Sequence, residues 1–77
     1  MDERLKALLA EVLRLPPSAV TGQLTMKDVE SWDSLKHMEL IVAIEEKFGV
    51  QLSFGEIVIM NSVEGIRRVL AEKGVTI

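Results

Sequence analysis

The sequence predicts an all-α fold, a small four-helix bundle with three longer helices, one short third helix and a long first connection. Three observations carry this. Apolar residues recur at helical spacing in three separate stretches. Capping residues stand at the expected starts and glycines at the expected ends. No stretch offers a convincing pair of strands.

The first helix runs over residues 3–14. Leu5, Leu8, Leu9, Val12 and Leu13 sit at offsets 0, 3, 4, 7 and 8 and draw one apolar stripe. Asp2 can cap its start, and Pro16-Pro17 stops it, because proline lacks the N–H and restricts the residue before it. Residues 16–32 form the long connection. A connection of this length in a small domain has to pack or to serve a function, and Val20, Leu24, Met26, Val29 and Trp32 are the anchors through which it packs.

The second helix runs from Ser34 to Phe48, with Asp33 as N-cap and Gly49 at its C-terminal end. At about 100° per residue, Leu40, Ile41, Ile44 and Phe48 face the core. Leu35 and Val42 fall well off that side and align with Glu39 and Glu46 in a second, mixed stripe. Residues 50–60 send conflicting signals. Ser53-Phe54-Gly55-Glu56 has capping-box spacing, while Ile57-Val58-Ile59-Met60 is rich in strand-forming residues. Without a partner strand the expectation is a short helix. A last helix begins after Ser62, buries Val63, Ile66, Val69 and Leu70, and ends at Gly74.

Composition narrows the class. Seventy-seven residues make one small domain, expected to span 1–77. With 48% hydrophobic and 27% charged residues the chain is globular rather than disordered. Only Trp32, Phe48 and Phe54 are aromatic, so aliphatic packing carries the core. The chain has no cysteine, which removes disulfides and thiolate metal sites. The longest apolar run, Leu40 to Ile44, is far short of the ~20 residues needed to span a bilayer. Met1-Asp2-Glu3-Arg4 lacks the features of a secretory signal, so a cytoplasmic protein without membrane insertion is expected. A net charge of −3 argues against binding nucleic acid and favours partners with basic patches.

The functional signal is Trp32-Asp33-Ser34-Leu35, where the long connection meets the second helix. It resembles the attachment site of acyl-carrier proteins, whose motif is Asp-Ser-Leu followed by an amphipathic helix ending in an acidic run, an aromatic and a glycine. Here that helix reads Ser34-Leu-Lys-His-Met-Glu-Leu-Ile-Val-Ala-Ile-Glu-Glu-Lys-Phe-Gly49. Val50-Gln51-Leu52-Ser53 resembles the family's approach to its short third helix, and Ser62-Val63-Glu64-Gly65-Ile66 the start of its fourth. The likeness covers nearly the whole chain and is weakest over residues 1–20. Asp-Ser-Leu alone is unspecific; its position, the following helix and the total length make the pattern specific.

The resemblance implies a 4'-phosphopantetheine arm, moved from coenzyme A onto the Ser34 hydroxyl by a phosphopantetheinyl transferase with magnesium. A phosphodiester at a helix start is favoured by free N–H groups and the helix dipole, by about 0.3–1 kcal/mol when exposed. The arm would supply the thiol that the cysteine-free chain lacks, and acyl groups would ride on it as thioesters. Asp33 would serve both as cap and as the residue the transferase reads. Leu35, Glu39, Val42 and Glu46 form the expected docking face for acyl-loading and acyl-using enzymes with basic patches, extended by Glu56 and Ile57. The competing readings are a serine that only caps a helix and an ordinary solvated face.

Other features set the boundaries of this reading. Lys36 stands where fatty-acid carriers often place an acidic residue, which points to a specialised pathway. Arg67 and Arg68 form a basic spot read as solvated. His37, the only histidine, is expected to be a half-buried structural residue. One histidine and no cysteine predict no metal site, and no carboxylate pair lies across a cleft, so no enzymatic activity is expected. Ile41, Ile44, Ile57 and Met60 could line a pocket for an acyl chain, although an ordinary core is the preferred reading. A free-standing monomeric acyl carrier, a peptidyl or amino-acyl carrier, and an unmodified helical interaction module are the three functions to separate.

Overall fold

In the computed structural model, which describes residues 1–77, four α-helices enclose one core: α1 (Glu3–Leu13), α2 (Ser34–Phe48), α3 (Phe54–Ile59) and α4 (Val63–Glu72). Fifteen hydrophobic side chains form that core, drawn from α1, the first connection, α2, α4 and Met60 between α3 and α4. The expected apolar stripes are the buried ones. Leu5, Leu9 and Leu13 close the inner side of α1, Leu40, Ile41 and Ile44 that of α2, and Val63, Ile66, Val69 and Leu70 that of α4. Leu8, Val12 and Phe48 lie at the margin, half-buried. The Arg4 guanidinium covers the Phe48 ring, 5.2 Å from its centre.

Each helix start is capped as its sequence requires. The Asp2 carboxylate accepts the Arg4 and Leu5 amides at 2.8 and 3.2 Å. Ser53 and Glu56 close a reciprocal capping box: the Ser53 hydroxyl accepts the Glu56 amide at 3.2 Å, and the Glu56 carboxylate accepts the Ser53 amide at 2.8 Å. This local pairing decides residues 54–59 for helix against their strand propensity. The Ser62 hydroxyl accepts the Gly65 amide at 3.0 Å. At the far ends, Gly49 and Gly74 take left-handed backbone conformations that terminate α2 and α4.

Two details depart from expectation. α1 stops one residue early, because Arg14 leaves the helix in the left-handed region (φ 58°) so that the chain can turn into Leu15-Pro16. The long connection also contains two 3₁₀ turns, Pro17–Ala19 and Met26–Asp28. Its anchors behave as expected. Val20, Val29 and Trp32 are buried, while Leu24 and Met26 are half-buried. Backbone bonds add to them. Met26 N–H donates to the Asn61 carbonyl and Val63 N–H to the Leu24 carbonyl, both at 2.9 Å, around an isolated bridge between Thr25 and Ser62. The Ser31 hydroxyl donates to the Leu13 carbonyl at 2.9 Å, tying the last stretch before α2 to the end of α1.

Candidate functional site

Ser34 is the first residue of α2 and is exposed. Its position follows from its two neighbours. Trp32, only 2% exposed, plugs the core from the connection. Asp33 then turns the chain, and its Oδ1 accepts the Lys36 amide at 2.8 Å while its carbonyl accepts the His37 amide at 2.8 Å. That leaves the amides of Ser34 and Leu35 as the N–H groups that a helix start cannot satisfy internally. The serine hydroxyl therefore stands in solvent beside free donors and the positive end of a 15-residue helix. An anionic ester on that oxygen fits the chemistry present.

The second stripe of α2 is on the surface. Leu35 is 81% and Val42 51% exposed, and Glu39 and Glu46 are exposed with them. Lys36 turns from solvent to bond Glu39 Oε2 at 2.8 Å. Glu46 pairs with no cation of the chain. On α3, Glu56 and Ile57 are half-buried. The Glu56 carboxyl is held below its ordinary range, first by the Ser53 amide and then by the Lys73 ammonium at 2.9 Å.

The structure adds residues that the sequence reading passed over. Apart from Met1, every large exposed hydrophobic side chain lies on α2 or α3: Leu35, Met38, Val42, Phe54, Val58 and Ile59. Met38 was available to the same spacing argument, three after Leu35 and four before Val42. The α3 residues were not, since one and a half turns of helix define no apolar face.

The four residues read as either an acyl pocket or, by preference, ordinary core are packed: Ile41, Ile44 and Met60 are at most 2% exposed, and Ile57 lies half-buried against the core. An open groove of about 410 Å³ lies instead between α1 and α2, lined by residues such as Leu8, Val12, Ala43 and Glu46. His37 is more than half-buried: it is 9% exposed and bonded on both ring nitrogens. Arg68 pairs loosely with Glu64 at 3.6 Å on the exposed side of α4.

The bundle thus presents an exposed serine as the first residue of its longest helix. Residues 3–70 match the family model described as "Phosphopantetheine attachment site". The chain is 32% identical over 71 residues to polyketide-8 synthase acyl carrier protein 2 of Streptomyces avermitilis, covering 92% of this chain and 82% of that one. It is 33% identical over 64 residues to an acyl carrier protein of Thermosynechococcus vestitus, covering 83% and 79%. The chain belongs to the acyl-carrier family, and its cofactor is 4'-phosphopantetheine. Both relatives are carriers by name, and no helix here is long and apolar enough to cross a membrane.

Proposed function

We propose that Ser34 carries the phosphopantetheine arm and that the 77 residues act as one carrier domain, delivering acyl thioesters to partner enzymes. The reading rests on a single observation in a chain of this family: an exposed hydroxyl at the capped start of α2, flanked by unsatisfied amides. When bound, the arm supplies a thiol that the polypeptide lacks. Asp33 holds the first turn closed and presents its carboxylate to the transferase.

Docking uses Leu35, Glu39, Val42 and Glu46, with Glu56 and Ile57 at the edge, against basic patches on the loading and using enzymes. Long-range charge attraction speeds encounter, and a small apolar contact allows release, which suits a shuttle. Lys36, two residues after the serine, favours a specialised pathway over central fatty-acid synthesis, in line with a polyketide carrier among the relatives. The carrier works as a monomer in the cytoplasm.

The test is mass measurement after incubation with coenzyme A, magnesium and a promiscuous phosphopantetheinyl transferase. The expected result is a gain of one arm, abolished in Ser34→Ala. An unchanged mass, or a gain that survives Ser34→Ala, overturns the assignment. Loading assays with acyl and aminoacyl ligases then separate an acyl carrier from an aminoacyl one.

A further inference from the structure

His37 is the one buried polar side chain, and it joins three parts of the fold. The indole N–H of Trp32 donates to its Nδ1 at 3.0 Å. Its Nε2 lies 2.9 Å from the carbonyl oxygen of Ile57 in α3. An indole nitrogen can only donate and a carbonyl oxygen can only accept. Both bonds therefore exist together in one form alone, the neutral imidazole with its proton on Nε2. A proton added at Nδ1 would face the indole N–H, donor against donor, inside a buried contact. The Ile57 bond would survive it.

No other charged side chain shares this contact. On the connection, Asp28 bonds the amide and hydroxyl of Thr25, Glu30 is exposed, and Asp33 bonds the Lys36 amide. On α2, Lys36 and Glu39 bond each other, and on α3 Glu56 bonds Ser53 and Lys73 of the segment after α4. Trp32 and His37 are thus left to set each other's state.

We propose that His37 is a positioning residue that works as a proton-operated latch. Neutral, it locks the segment carrying Asp33 and Ser34 to α3. Protonated, it lets go of Trp32 while keeping α3. Only Asp33 separates Trp32 from Ser34, so the released segment loosens the helix cap next to the attachment serine. The apolar face of α3 stays where it was, and the serine moves relative to it. The proposal concerns the polypeptide and stands whether or not Ser34 is the attachment point.

The test follows the indole N–H resonance of Trp32, the chain's only tryptophan, together with the imidazole resonances of His37 and the Lys36 amide, by NMR from neutral pH downward. In the wild type all three are expected to change in one step, with about tenfold faster solvent exchange at the Lys36 amide than in a non-titrating variant at the same pH. His37→Asn keeps an acceptor near the Nδ1 position and cannot titrate, so its indole signal should stay flat. His37→Gln keeps a donor near the Nε2 position, so its indole should sit at the released position at every pH. The idea is overturned if His37 titrates while the indole signal stays still. It is equally overturned if His37 remains neutral until the chain unfolds, or if His37→Asn shows the same step as the wild type.

Discussion

The carboxylate of Asp33 accepts the amide of Lys36 at 2.8 Å, and Ser34 lies inside the turn that this bond closes. The cap is observed and recognition of the same carboxylate by the transferase is proposed, and substitution can part the two. Asparagine caps about as well as aspartate, whereas alanine costs about 1 kcal/mol. Asp33→Ala should therefore lower the unfolding free energy by about that amount, and Asp33→Asn by only a few tenths. If the transferase reads the charge, both variants should slow arm transfer alike. Urea unfolding and kcat/KM for arm transfer, measured on both variants, decide between them. An Asp33→Asn protein modified at the wild-type rate would leave the carboxylate as a cap and nothing more.

Glu56 gives the structure a pH dependence of known sign. Its carboxyl is held below the ordinary value by the Ser53 amide first and by Lys73 second. A carboxyl lowered in the folded state adds stability that is complete above its unfolded value and is lost as pH falls through the folded one. Removing it should flatten the acid limb. Glu56→Gln keeps an oxygen for the Ser53 amide but cannot titrate. The wild type should be the more stable at neutral pH, and the gap should close as the pH drops through the carboxylate range. Urea midpoints across that range provide the measurement, and a gap that stays constant would contradict this account of α3.

Much of this was readable in advance, for local reasons. α2 spans Ser34–Phe48 as expected because the Asp33 side chain caps one end and the left-handed backbone of Gly49 closes the other, both local signals. α3 could be read because the Ser53 and Glu56 capping box outweighs four strand-forming residues. What escaped depends on tertiary contact. The turn at Met26–Asp28 is closed locally by Thr25 and Asp28, but its docking depends on bonds that Leu24 and Met26 make to Val63 and Asn61, thirty-odd residues away. The exposure of Phe54, Val58 and Ile59 depends on how a six-residue helix lies on its neighbours. A buried indole needs an acceptor, and His37 stood five residues from Trp32, yet spacing alone could not bring their rings together.

Gly65 sits in α4 where helix propensity asks for alanine, which would ordinarily gain about 1 kcal/mol. A methyl group there would meet the carbonyl oxygen of Ile59 and crowd the Ser62 hydroxyl. The first obstacle is backbone and cannot swing aside. Gly65→Ala should therefore destabilise the protein by about 1–3 kcal/mol, the range for forced overpacking. Gly55, in α3, has open space at the same position. Gly55→Ala should be neutral or stabilising by up to about 1 kcal/mol. The unfolding midpoint of Gly65→Ala should fall while that of Gly55→Ala holds or rises. If both rise, the close approach of α4 to the end of α3 is wrong.

Val42 and Glu46 stand one turn apart on the exposed side of α2, and neither is engaged within the chain. Their replacement should barely touch stability, within about 0.5 kcal/mol, as for most surface sites. Under the proposed docking, their effect falls on the partner. Val42→Ala should raise the KM of a loading enzyme several-fold and leave kcat in place, the pattern for lost uniform binding. Glu46→Lys should do the same and weaken the salt dependence of association, since a rim charge acts mainly on encounter. Glu39 is the contrasting position, because Lys36 already neutralises it at 2.8 Å. Its loss should change the salt dependence less than that of Glu46. Glu72→Lys, exposed at the end of α4, carries the same change of charge away from this face. Should Glu72→Lys impair loading as much as Glu46→Lys, net charge rather than the α2 surface would govern recognition.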